Sequence, residues 1–267
     1  MSLAEKKLFL LDMDGTLYLD DNLFDGVLDF LAAVKARGGR YLFLTNNSSR
    51  GVEDYVAKLR RLGIEAEKED FLTSVDATIA VLKQEYPTAR CYTAGTASFR
   101  RQLTEAGIAV TDKVKDGVDL LLWGFDRELT FQKLEDSCIL LGRDIPWLAT
   151  NPDWVCPTAY GYVPDCGSFC QMLTRATGRQ PRFLGKPQPD MVHLALSRTG
   201  FAPHEAVMVG DRLYTDIACG VNAGIDTVFV LSGEGTRQDI EDMNIHPTWV
   251  MDNIAQLYRE MEDNAGN

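Results

Sequence analysis

The sequence predicts an α/β fold: a doubly wound, Rossmann-like parallel sheet carrying a smaller inserted α/β domain. Two features of the chain lead there. Short apolar runs rich in Leu, Val and Phe recur along it, each followed by Asp, Thr or Gly and then a helical pattern, which is the rhythm of strands buried on both faces. A stretch of about a hundred residues in the middle then repeats that rhythm on its own, which is enough chain for a separate domain. The clearest core runs are Leu8-Phe9-Leu10-Leu11, Tyr41-Leu42-Phe43-Leu44, Arg182-Phe183-Leu184, Ala206-Val207-Met208-Val209 and Thr227-Val228-Phe229-Val230-Leu231. Four of the five end at a polar or charged group, and in open α/β sheets ligands lie beyond the carboxyl ends of the strands. In the middle stretch, Arg90 to Thr93, Asp119 to Trp123 and Pro146 to Thr150 read as strands with helices between them.

Composition bounds the function. The 267 residues carry 27 Lys and Arg against 39 Asp and Glu, a formal charge of −12, with 45% hydrophobic residues, as in ordinary globular proteins. Residues 82–180 hold 11 basic and 12 acidic groups, net −1, leaving 16 against 27, net −11, for the rest. The acidic balance argues against nucleic acid and against an anionic membrane, because both need a basic face. No apolar run approaches the roughly 18 residues of a membrane span. The start, Met1 to Lys7, leads straight into a strand-like run with no hydrophobic signal region, so a cytoplasmic location is expected. The six cysteines form no Cys-x-x-Cys pair and read as reduced packing residues. His193, His204 and His246 are scattered, so chemistry is expected to rest on carboxylates. The triplets within Asn46 to Ser49 resemble glycosylation sites, which carry no meaning in a chain that is not secreted.

Four strand ends carry chemistry. Asp12-Met13-Asp14-Gly15-Thr16 follows the first run, so that one carboxylate can attack phosphorus while the second, displaced along the chain, serves the leaving oxygen. Asp and Gly are equally at home in helix caps and turns, which is the plainer reading of this motif alone. Thr45-Asn46-Asn47-Ser48 offers a hydroxyl and main-chain N–H groups at an expected helix start, suited to phosphate oxygens or simply to capping. Lys186, in Gly185-Lys186-Pro187, can offset a carboxylate and a phosphoryl oxygen. It is no nucleotide phosphate loop: six residues separate Gly178 from Gly185 where four are required, and Pro187 stands in place of Ser or Thr. Gly210-Asp211 to Asp216 adds two acids that would repel Asp12 unless a cation joined them, and the oxygen donors suit Mg²⁺. Gly233-Glu234-Gly235 looks faintly like a dinucleotide loop but lacks the third glycine.

Asp-x-Asp, Thr, Lys and Gly-Asp-x-x-x-x-Asp in this order resemble the four motifs of the haloacid dehalogenase (HAD) superfamily, and the resemblance covers the whole chain. Ala149-Thr150-Asn151-Pro152-Asp153 followed by Gly185-Lys186-Pro187 is similar to the NagD-type, or 4-nitrophenylphosphatase-like, branch with its large α/β cap. The resemblance implies a catalytic core over residues 1–78 and 181–267 and a cap over residues 79–180. It also implies that Asp12 is a nucleophile forming an aspartyl-phosphate and that Asp14 is general acid and then base. Thr45, Asn46 and Asn47 would hold the phosphoryl group and Lys186 would orient Asp12. Mg²⁺ would lie on Asp12, the main-chain carbonyl of Asp14 and Asp211, with Asp216 supporting. Asp rather than Thr at position 14 favours rapid hydrolysis, hence a phosphatase of a small phosphorylated metabolite, with sugar phosphates, nucleoside monophosphates, glycerol phosphates and pyridoxal phosphate all open; a homodimer is left open.

Two alternatives stay open: a phospho-aspartate signalling module, in which the insert has no purpose, and a scaffold that keeps the fold without the activity. The cap is expected to close over the crevice and contact the leaving group. Asn151, Asp153 and the loop Pro157 to Asp165, with Tyr160 and Tyr162, are its candidate contacts, although Asn-Pro-Asp is also a good turn and tyrosines often only pack.

Overall fold

The computed structural model describes residues 2–115, 117–158 and 161–263. The chain divides into two compact units. One comprises Met1–Thr45, Val52–Leu72 and Lys186–Asn267; the other comprises Asn46–Gly51 and Thr73–Gly185.

The first unit is built on a six-stranded sheet in the order Trp249–Met251, Asp226–Val230, Ala206–Gly210, Leu8–Leu11, Arg40–Thr45, Phe71–Thr73. The pairings from Trp249–Met251 through to Arg40–Thr45 are all parallel. Leu8–Leu11 and Ala206–Gly210 are buried along their whole length, as continuous apolar runs demand when helices cover both faces. The chain leaves Leu8–Leu11 toward Arg40–Thr45 on one side and later returns to its other side as Ala206–Gly210. That reversal is the switch point at which α/β sheets open a crevice. Amphipathic helices Val27–Ala36, Val52–Arg61 and Ile254–Asp263 bury Phe30, Leu59 and Leu257 against the sheet residues Phe9, Phe43 and Val228. Phe9 and Phe30 meet edge to face with centroids 5.2 Å apart.

The second unit has its own five-stranded parallel sheet, in the order Arg182–Phe183, Trp147–Ala149, Leu120–Trp123, Arg90–Ala94, Ala109–Thr111. Its core gathers Tyr92, Trp123, Trp147 and Phe169. Helix Ser74–Glu85 starts at Thr73, whose hydroxyl accepts from Asp76 N–H while Asp76 reaches back to Thr73 N–H, a reciprocal cap. Helix Cys166–Thr177 is capped by Asp165 and stops at Gly178, whose φ of 74° is easy only for glycine.

The run Arg182 to Leu184, expected among the strands of the principal sheet, instead forms the edge of this second sheet, with Arg182 opposite Leu148 and Phe183 opposite Ala149. Pairing partner, not local apolarity, decides which sheet a short run joins. The hairpin Val155–Thr158 and Gly161–Pro164 presents Tyr162, 74% exposed; Tyr160 lies outside the described residues. Among the described residues no disulfide is formed, and no helix is long and apolar enough to cross a membrane.

Candidate active site

In the first unit the carboxyl ends of adjacent strands bring the expected acids together. Asp12 continues the Leu8–Leu11 strand, its N–H donating to Val209 carbonyl at 2.9 Å, so the main chain fixes its position. Asp211 follows Ala206–Gly210 directly, and Asp216 sits in a π-helical turn, Leu213–Ile217. Such turns are uncommon and recur at functional sites. Arg212 N–H donates to Asp216 Oδ2 at 3.1 Å, and a Cβ on Gly210 would overlap the Asp216 side chain, so the close return of the turn depends on glycine there. Asp12, Asp211 and Asp216 each offer a carboxylate oxygen within 4.8 Å of the others.

Lys186 answers part of this charge. Its Nζ donates to Asp12 Oδ1 at 2.6 Å, to Asp216 Oδ1 at 2.7 Å and to the Leu44 carbonyl at 3.3 Å, so all three donors of the ammonium are committed. Burial alone would depress the lysine, but Asp12 and Asp216 hold it well above its usual value, and it stays charged. One ammonium among three carboxylates leaves an excess of negative charge. At an effective dielectric of about 20, two carboxylates at 4.8 Å repel by about 3 kcal/mol. Burial and Asp216 accordingly push Asp12 up against the pull of Lys186, and burial and Asp216 raise Asp211 to about 6. Two buried carboxylates and one half-buried one, hard oxygen donors drawn to a common centre with one ammonium among them, form a donor set for a divalent cation, and the residues present fit one.

Asp14 lies one step out, its side chain 54% exposed, held on two sides. Tyr18 hydroxyl donates to Oδ2 at 3.3 Å and Lys58 Nζ to Oδ1 at 3.3 Å, and the same ammonium stands 3.9 Å from the Tyr18 ring centroid. Tyr18 is buried, and burial followed by Asp14 keeps its phenol protonated well above the usual range. Thr45 ends the strand beside Asp12, nearly buried. Sequence reasoning missed Lys58, Tyr18 and Arg212. Lys58 sits on a helix whose polar face gives no local signal, and only the tertiary fold brings it to Asp14. Arg212 is held up by Asp12, Asp216 and Glu234 against the effect of burial, with Nε 2.9 Å from Glu234 Oε2.

The other expected residues belong to the second unit and hold one another. Asp153 Oδ2 accepts from Asn46 Nδ2 and from Asn151 Nδ2, both at 2.9 Å. Asn151 Nδ2 also donates to Asp165 Oδ1 at 3.1 Å, and its Oδ1 accepts from Thr150 Oγ1 at 2.8 Å. Asn47 Oδ1 accepts from Ser49 N–H and hydroxyl. Asn151, expected to touch substrate, is fully buried, and its amide is hydrogen-bonded to Asp153, Asp165 and Thr150.

The comparisons with known proteins follow the same lines. Residues 9–109 match the haloacid dehalogenase-like hydrolase family and residues 183–257 the HAD-hydrolase-like family. Acid sugar phosphatase of Staphylococcus aureus strain MRSA252 is 33% identical over 260 residues, covering 97% of this chain and all of that one. The crystal structure of 4-nitrophenylphosphatase from Thermotoga maritima superposes with a TM-score of 0.91 at 38% identity, covering 97% of this chain and 98% of that one. Glycerol phosphate phosphatase of Mycobacterium tuberculosis, solved in complex with magnesium, superposes with a TM-score of 0.90 at 30% identity, covering 98% and 79%. The order of strand-end motifs, the convergent carboxylates around Lys186 and these whole-chain similarities lead to one conclusion: the chain belongs to the haloacid dehalogenase-like hydrolases, in their NagD-type, 4-nitrophenylphosphatase-like branch.

Proposed function

We propose that this phosphatase is Mg²⁺-dependent and hydrolyses small phosphate monoesters, sugar phosphates foremost, through an aspartyl-phosphate on Asp12. The observation that carries the reading is the cluster itself: Asp12, Asp211 and Asp216 converge on a common centre while Lys186 bridges Asp12 and Asp216. Sugar phosphates take first place because the acid sugar phosphatase relative aligns over its entire length, and glycerol phosphate and p-nitrophenyl phosphate come next from the names of the structural relatives.

Asp12, Asp211 and Asp216, with the Asp14 carbonyl, would hold Mg²⁺, which when bound would offset the charge of the carboxylates and of the phosphoryl group. Lys186 orients the Asp12 carboxylate by a short charge-assisted bond, and its positive charge beside Asp12 offsets phosphoryl charge without a further donor. Asp12 attacks phosphorus, the bond from phosphorus to the leaving oxygen breaks, and protonated Asp14 gives that oxygen its proton. The Asp14 carboxylate then takes a proton from water, whose oxygen attacks phosphorus, releasing inorganic phosphate and restoring Asp12. Thr45 contributes its hydroxyl to the phosphoryl oxygens, with Asn46 and Asn47 at the start of the segment that follows. Every one of these contacts is common to all phosphate monoesters, so discrimination among esters is assigned to the second unit, with Asp153 and the exposed Tyr162 as its candidates.

Phosphate release from a panel of sugar phosphates, glycerol phosphate and p-nitrophenyl phosphate tests the reading, with and without Mg²⁺ and with Asp12→Asn as the control. Turnover that requires Mg²⁺ and falls by at least about a thousandfold in the folded variant is the expected result, since loss of a nucleophile removes most of the rate enhancement. Full activity in excess EDTA, or a tenth of wild-type activity in Asp12→Asn, would sink it.

A further inference from the structure

Gly233-Glu234-Gly235, an incomplete dinucleotide loop by sequence, has a different place in the molecule. The loop leaves the Asp226–Val230 strand and folds back onto Asp211. Glu234 N–H donates to Asp211 Oδ2 at 2.8 Å and Gly235 N–H to the Asp211 carbonyl at 3.0 Å. Ser232 hydroxyl reaches the Gly15 carbonyl at 2.8 Å, tying the same loop to the turn after Asp14. The Glu234 side chain is fastened in turn: Oε2 lies 2.9 Å from Arg212 Nε, and Oε1 accepts from Tyr214 hydroxyl at 2.8 Å. Glycine is required by contact rather than by backbone angle. A Cβ on Gly233 would overlap Asp211 Oδ2, and one on Gly235 would meet the Asp211 carbonyl at 2.6 Å and the Phe229 ring at 2.5 Å. The remaining carboxylate oxygen, Oδ1, is 3.3 Å from the Thr16 hydroxyl, which donates to it.

We propose that the loop 232–235 is a positioning element for Asp211, in which Gly233 makes room for the carboxylate and Glu234 latches the loop shut through Arg212 and Tyr214. The proposal rests on the reading of Asp211 as a ligand of the divalent cation. An aspartate free to turn must be ordered when a cation arrives, whereas one held from both sides meets it already oriented, and partners of this kind typically change metal affinity by about 10- to 100-fold. The loop therefore sets how tightly the site binds its cation, and no substrate is needed for that effect.

The test measures Mg²⁺ binding by calorimetry on the full, metal-free chain, alongside the melting temperature in EDTA. Gly233→Ala is expected to raise the Mg²⁺ dissociation constant by about 10- to 100-fold. Its melting temperature in EDTA shows whether the variant folds, because the new Cβ would meet Asp211 Cγ at 2.5 Å and Asp211 Cβ at 2.7 Å as well as Oδ2, so the carboxylate or the loop must shift. Glu234→Ala, which keeps the N–H donor and removes the latch, should weaken Mg²⁺ in the same direction but by less. Wild-type Mg²⁺ affinity in folded Gly233→Ala overturns the proposal; if that variant fails to fold, wild-type affinity in Glu234→Ala does so instead. Asp211→Asn separates the two layers: if it bound Mg²⁺ like wild type, the ligand assignment would fall, whereas loss there with wild-type binding in Gly233→Ala would remove the loop's role alone.

Discussion

At the residue scale the site is a problem of charge. Lys186 donates to Asp12, Asp216 and the Leu44 carbonyl, and a second cation, Lys58, serves Asp14 from the helix Val52–Arg61. The two lysines divide the work: one fixes the proposed nucleophile, the other the proposed acid. Lys58 is held over the buried Tyr18 ring, whose hydroxyl reaches the other Asp14 oxygen, so the pair fixes the carboxylate that must face the leaving oxygen. Positioned general acids contribute about 10²- to 10⁴-fold, and losing the positioning forfeits part of that. Lys58→Met is therefore expected to lower kcat for sugar and glycerol phosphates by about tenfold, with p-nitrophenyl phosphate nearly unaffected because its leaving group needs little protonation. Lys58→Arg should restore much of the loss. Equal losses on both kinds of ester would assign Lys58 to folding or to substrate binding.

At the element scale the two ends of the principal sheet do different jobs. The carboxyl ends deliver Asp12, Thr45 and Asp211, while the amino ends are braced. Lys6, its side chain fully buried, pairs with Asp226 and donates to the His204 carbonyl at 2.6 Å. Asp226 accepts from Thr248 hydroxyl at 3.0 Å, so the approaches to four adjacent strands are tied together. Burial pushes the Asp226 carboxyl up, but Lys6 and Thr248 outweigh it and hold it below its ordinary value of 3.8. A carboxylate depressed in the folded state contributes stability that is present above the unfolded value and is lost as pH falls through the folded one. Asp226→Asn should thus cost about 1–3 kcal/mol near neutral pH by denaturant unfolding, and the gap to wild type should narrow only below pH 3.8. The kinetic constants at low temperature should not change. A gap that persisted undiminished below that range would mean the pair is not what stabilises this end.

Legibility in the sequence follows the same division. Leu8–Leu11, Tyr41 to Leu44, Ala206 to Val209 and Thr227 to Val230 announce themselves because buried parallel strands are apolar on both faces and end abruptly at polar residues. Phe71–Thr73 and Trp249–Met251 are three residues long and carry no such contrast, and the sequence of Arg182–Phe183 does not show which sheet it joins, because pairing is non-local. The acids were readable because chemistry fixes their type and order along the chain. Lys58, Arg212 and the glycines at 233 and 235 were not, because what each is for depends on atoms brought in by the fold.

At the scale of the whole molecule, each unit closes its own apolar core. Phe9, Phe30, Phe43 and Val228 pack in the first, and Trp123, Trp147 and Phe169 in the second, with Trp123 and Phe169 centroids 5.8 Å apart. Chains organised in this way commonly depart from two-state unfolding, so calorimetry should resolve two transitions. All three convergent carboxylates belong to the first unit. A cation that binds only the folded first unit stabilises it by RT ln(1 + [Mg²⁺]/Kd), about 2.7 kcal/mol at a hundred times Kd. For a unit of about 150 residues that is a rise of roughly 5–10 °C in its melting temperature. Mg²⁺ should move one transition by this amount and leave the other in place, and Asp211→Asn should abolish the movement without merging the two. A single transition raised as a whole by Mg²⁺ would mean that the units unfold as one, and equal shifts in two transitions would mean that the cation binds elsewhere. Asp211→Asn checks the second outcome, because a cation bound elsewhere predicts that both shifts survive in this variant.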